Sequence, residues 1–167
     1  MISEFAVHSY FAHAQSRGWH LRSAGSLTRG WHAVYSGKLR DYSVFLHVDD
    51  DWIYFQCEML QVPPKPDCRA ALHQYLLRLN ADLFWAKMAL VPADDGRDTN
   101  EAVVLIVECP LETFGPGTFR LMTESVATYA EEYAREVEVI ALDAPVAALI
   151  TTGAADWQRM ERTEDHG

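Results

Sequence analysis

The sequence predicts an α+β fold: an antiparallel sheet of about five strands with three helices, in the order helix, three strands, helix, two strands, helix. Three observations predict it. Ser43 to Leu60, SVFLHVDDDWIYFQCEML, has two arms rich in β-branched and aromatic residues around Asp49-Asp50-Asp51, the composition of a β-hairpin. Phe84 to Val91 and Ala102 to Glu108 repeat that composition further along the chain. Between about Thr118 and Val139, Phe119, Met122, Val126, Tyr129, Tyr133 and Val137, with Ile140 beyond, recur every three or four residues, the stripe of an amphipathic helix.

The elements follow in order. Ser3 is placed to cap a helix from Glu4 to about Ser16, with Phe5, Val7, Tyr10, Phe11 and Ala14 on its apolar face and Gly18 as its stop. Residues 19–30 are turn-rich, with a short strand offered at Trp19 to Arg22. Trp31 to Lys38 reads as the first of three meander strands, with Trp31, Ala33 and Tyr35 on one face. In the hairpin, a side-chain period of two puts Val44, Leu46 and Val48 on one face and Phe45 on the other. It likewise separates Ile53, Phe55, Cys57 and Met59 from Trp52 and Tyr54. Both faces read as largely apolar, so the sheet needs two covers, and a partner chain is a candidate for the second.

Val62-Pro63-Pro64-Lys65-Pro66 ends the strand run. Asp67 is placed to cap a helix over Cys68 to Asn80, with Leu72, Tyr75, Leu76 and Leu79 on one stripe and Asn80 as its stop. Val103 to Val107 is apolar on both faces, which predicts an interior strand. Pro110 to Gly117 is a breaker-rich link into the long helix, read as a cover for the sheet in preference to an exposed partner stripe. One domain over residues 1–143 is expected, with a tail over 144–167 that forms a short helix through Ile150 or is loosely ordered, Trp157 being able to dock on the body.

Net charge is −10, with 14 Lys and Arg against 24 Asp and Glu. The first 40 residues carry five basic side chains against Glu4, so the acidity lies in the remainder. Such a balance disfavours direct nucleic-acid binding, which replaces counterions with cationic surface. It suits a basic protein partner, or serves solubility alone. No apolar run approaches the ~18 residues of a membrane span. The N-terminus is a poor signal peptide, and Cys57, Cys68 and Cys109 form no CxxC pair, so a reduced, cytoplasmic protein is expected.

Catalytic patterns are absent. Gly115-Pro116-Gly117 lacks both the Walker lysine and the GxGxxG spacing, and no GxSxG or HExxH occurs. The aspartates at the hairpin tip read as turn chemistry, not as a DxD metal site. The polar loop after Val91 fails as a calcium loop, because Thr99 and Leu105 stand where glycine and glutamate are required. The seven histidines are scattered. No catalytic residue, metal or cofactor is assigned.

The helix end Leu76-Leu77-Arg78-Leu79-Asn80-Ala81-Asp82-Leu83, the strand pair after it and the closing amphipathic helix resemble the YbjN family, whose members are similar to class I type III secretion chaperones of the Tir-chaperone kind. The similarity covers most of residues 1–140; the acidic loop and the tail from Ala141 depart from it. It implies a small acidic α+β protein, commonly a homodimer, that binds other proteins without enzymatic activity. The expected function is a dimeric, chaperone-like or regulatory module that holds a client segment on apolar sheet or helix surface. Phe45, Trp52, Tyr54, Leu72, Tyr75 and Leu76 are its candidate partner surface. An acidic adaptor for a basic nucleic-acid-binding protein and an enzyme with a site dispersed in sequence are the competing classes.

Overall fold

The predicted hairpin forms with its turn at Asp50 and Asp51 and becomes the middle of a larger sheet. The structure, a computed structural model, describes residues 4–24, 30–60, 64–92 and 101–151. The elements are α1 (Glu4–Ala14), β1 (Trp19–Ala24), β2 (Gly30–Ser36), β3 (Asp41–Asp49), β4 (Trp52–Glu58), α2 (Arg69–Asp82), β5 (Ala86–Pro92), β6 (Glu101–Pro110), α3 (Pro116–Leu142) and α4 (Ala144–Thr151). Among the described residues the sheet has six strands, not about five, in the order β1-β2-β3-β4-β6-β5, every neighbouring pair antiparallel. The sixth strand is β1, the short strand offered at Trp19 to Arg22, which runs on to Ala24. The fourth helix is the short α4 at the head of the tail. Ser3, residues 93–100 and the chain from Gly153 onward, Trp157 included, lie outside the described residues.

Alternation fixes what each strand buries. Val44 pairs with Cys57, Leu46 with Phe55 and Val48 with Ile53, and these side chains point toward the helices. β6 lies between β4 and β5, as its two-sided apolar run requires. Every described helix packs on this one side of the sheet. Phe119 of α3 makes edge contacts with Phe11 of α1 (ring centroids 5.0 Å apart) and Phe55 of β4 (5.7 Å). Leu72, Leu76 and Leu79 of α2 join the same core as Met88 of β5.

The α3 stripe differs from expectation at its middle. Ala130 and Ala134 are buried there, while Tyr129 and Tyr133 are only partly buried. Small side chains let the helix backbone come close, and the Tyr42 hydroxyl donates to the Ala130 carbonyl at 3.3 Å. The β2–β3 turn is equally tight. A Cβ on Gly37 would stand 2.9 Å from the Arg40 carbonyl oxygen and would also strike Glu131, whose carboxylate accepts from the Lys38 N–H at 2.7 Å.

Two cap assignments change. Asp67 sits in a turn of 3-10 helix, Pro66–Cys68, and α2 starts at Arg69 without a side-chain cap. Asn80 does not stop α2, which runs to Asp82; it clamps β5 instead. Its side-chain amide donates to the Met88 carbonyl (2.9 Å) and accepts from the Met88 N–H (2.7 Å). The outward backbone groups at the centre of this edge strand are thereby satisfied, which protects the edge. At the other edge, β1 carries a register shift between Leu21 and Ser23.

Ile53 is fully buried under the helices. Ile53→Asp is expected to cost several kcal/mol, on the order of a buried unpaired charge, and to abolish the cooperative thermal transition. An unchanged melting temperature would mean that Ile53 does not face the core.

Candidate functional site on the open sheet face

The opposite face of the sheet carries no described helix. The register sets His32 beside Phe45, His47 beside Tyr54, Asp49 beside Trp52 and Lys87 beside Ile106. The His32 and Phe45 rings stack at 4.9 Å and 20°, and the His47 and Tyr54 rings at 4.9 Å and 14°. Lys87 and Glu108 form an ion pair of 2.8 Å. Phe45 and Trp52 are exposed over about two-fifths of their surface, at 41% and 42%. The face is therefore less greasy than alternation implied, with imidazoles and a compensated ion pair set among its aromatics.

One end of the face is a groove of about 520 Å³ lined by Trp52, Phe84, Trp85, Ile106 and Pro110, with Lys87 and Glu108 alongside. Its most exposed wall is the turn between α2 and β5. Phe84 is 73% exposed and Trp85 49%. Trp85 has φ = 64°, the left-handed region, which costs a non-glycine residue about 1–2 kcal/mol. The turn is nonetheless held firmly: the Tyr129 hydroxyl donates to the Phe84 carbonyl (3.0 Å) and accepts from the Phe84 N–H (3.2 Å). A strained backbone thus presents two large apolar rings to solvent, where they gain little from burial.

The structure brings together three of the six expected surface residues. Phe45, Trp52 and Tyr54 share the open face. Leu72, Tyr75 and Leu76 lie on the other side of the sheet, in α2. Leu72 is fully buried and Leu76 nearly so in the chain's own core, and the half-buried Tyr75 hydroxyl donates to Glu136 of α3. The stripe that marked them is the one α2 uses to cover β5. Phe84 and Trp85 were missed. Their signal was two adjacent aromatics directly after a helix end, which an alternating strand cannot bury together.

The thiols are poor candidates for nucleophilic chemistry. Cys57, Cys68 and Cys109 are free and buried. Burial raises the Cys57 thiol to about 12, against the weaker pull of Arg40, and raises Cys109 to about 11, so both stay protonated near neutrality. Among the described residues, no three His, Cys, Asp or Glu side chains gather as metal ligands would. None of the described helices is long and apolar enough to cross a membrane.

No family model and no curated protein matches the chain. Among solved structures, the chain is similar to YbjN from E. coli, described there as a proposed transcription regulator. The TM-score is 0.53 at 14% sequence identity, over 81% of this chain and 93% of that one. The fold is YbjN-like, as the resemblance implied. The likeness to type III secretion chaperones stays an implication of the sequence resemblance.

Partial burial lowers the pKa of His47 below its usual value, with Asp49 opposing the shift. The unfolded chain therefore takes up a proton near pH 6.5 that the folded ring resists. The contribution of His47 falls as pH drops through that region and levels off below the folded pKa. Urea denaturation at pH 7.5 and pH 5 is expected to show a smaller acid loss for His47→Gln than for the wild type. Equal losses would exclude His47 as a source of the pH dependence.

Proposed function

We propose that the chain is a non-enzymatic protein-binding module whose open sheet face pairs with another polypeptide, first of all a second copy of itself. The observation that carries this reading is the sheet face on which no described helix packs, with a strained aromatic turn held by Tyr129 at its rim. Binding energy at interfaces concentrates in rigid aromatic anchors beside a pocket.

Size agrees with a second copy. Six strands at roughly 4.8 Å spacing and about seven residues at roughly 3.3 Å give a face of about 650 Å². Two such faces would bury roughly 1,300 Å², within the range of specific interfaces. Two copies of a chain with net charge −10 repel each other. On the open face Lys87 offsets Glu108, and His32 and His47 sit among the aromatics. Asp41, Asp49 and Glu58 lie toward the strand ends, so pairing is expected to tighten as salt screens them. A client segment held on the same groove would bind through the same aromatics.

The acidic-adaptor reading draws less support. The α3 carboxylates are largely engaged within the chain: Glu124 by Arg17 and Arg120, Glu131 by the Lys38 backbone, Glu136 by Tyr75 and Glu138 by Arg40.

Sedimentation equilibrium at 10–100 µM (order of magnitude for a module of this interface size) is expected to report a dimer. Trp52→Asp combined with Phe45→Asp is expected to give a folded monomer. A wild-type monomer at the top of that range, or a variant that stays dimeric, overturns the pairing of open faces.

Trp85 separates presentation from stability. Asparagine tolerates the left-handed backbone, so Trp85→Asn is expected to leave the melting temperature unchanged or raised, by up to about 1 kcal/mol of relieved strain, while weakening association at least tenfold. A large fall in melting temperature would make the indole a packing residue.

A further inference from the structure

A second concavity lies away from the sheet's open face, where the C-terminal end of α1 meets the start of α3. It encloses about 400 Å³, a size suited to a small molecule. Tyr10, Pro116 and Phe119 give it an apolar floor, the Tyr10 and Phe119 rings 5.4 Å apart. Arg17 and Arg120 make its polar wall cationic, with Ser9 and His13 beside them, and among the described residues no carboxylate lines it. Both guanidinium groups reach the same oxygen of Glu124, Arg120 at 2.7 Å and Arg17 at 3.5 Å, so one negative charge stands against two positive ones. The Nδ1–H of His13 donates to the Ser9 carbonyl at 2.7 Å, which holds the ring in place.

The start of α3 adds to this bias. Helix N-termini usually carry a polar cap and acidic residues that answer the positive end of the helix dipole. α3 is 27 residues long, has no side-chain cap at Gly115 and no acidic residue in its first turn, and bears Arg120 near its start. On a chain whose net charge is −10, positive charge and an apolar floor meet in this concavity.

We propose that the cleft between α1 and α3 binds a small amphipathic organic anion: a single ring or short apolar body on Tyr10 and Phe119, with a carboxylate or phosphate head between Arg17 and Arg120. The site is independent of the open sheet face and of what that face binds.

The test uses benzoate as the probe, titrated into the full chain and followed by amide and side-chain NMR. Saturable shifts are expected at Gly117, Thr118, Arg120 and the His13 ring. Benzyl alcohol, which keeps the ring and loses the charge, is expected to bind at least tenfold more weakly, and so is inorganic phosphate, which keeps charge and loses the ring. Arg17→Gln combined with Arg120→Gln is expected to weaken benzoate at least tenfold. Glu124→Gln frees both guanidinium groups and is expected to tighten benzoate several-fold, so the proposal stays decidable should the double variant fail to fold. Equal binding of benzoate and benzyl alcohol, equal binding of phosphate, shifts centred on Trp52 and Trp85, or no gain in Glu124→Gln would each overturn it.

Discussion

The packing of α3 against β4 and β6 is the interaction on which the rest of the structure depends. Its buried stripe from Phe119 to Ile140 and the inward side chains of the central strands make one continuous core. Once this long helix lies on one side of the sheet, α1, α2 and α4 gather beside it, because each has apolar surface to add to the same core. The sheet then has one roofed side and one side on which no described helix packs. That asymmetry, more than any single residue, makes the outer aromatics available.

Much of this is legible in the sequence. The alternation in SVFLHVDDDWIYFQCEML separates inward from outward residues correctly along both hairpin arms, because a period of two leaves little freedom once one face is apolar. The YbjN-like arrangement of elements was legible too. What remained hidden needed register or approach distance. Gln56 opposite Phe45 and Glu108 opposite Tyr54 temper the outer face, and neither pairing can be read from one strand alone. Ala130 and Ala134 outrank the neighbouring tyrosines inside α3 because the sheet comes too close for a ring, a condition that hydrophobicity does not encode.

The candidate site was read in part, for a related reason. A helical stripe and a strand face look alike in a list of apolar residues, yet Leu72 and Leu76 spend their surface inside the molecule while Phe45 and Trp52 do not. Phe84 and Trp85 escaped because their prominence comes from a backbone turn. A left-handed tryptophan has no compositional warning, since that conformation ordinarily belongs to glycine or asparagine. The tyrosine that anchors the turn, Tyr129, lies in another element far along the chain.

The amide of Asn80, seated across the middle of β5, bears on how large any assembly can grow. Fibres lengthen when each newcomer offers a fresh strand margin to the next. Here one margin is stoppered by a side chain and the other is bent at Leu21 to Ser23. A molecule built this way can carry exposed aromatics on a sheet face without offering an open strand margin for endless growth.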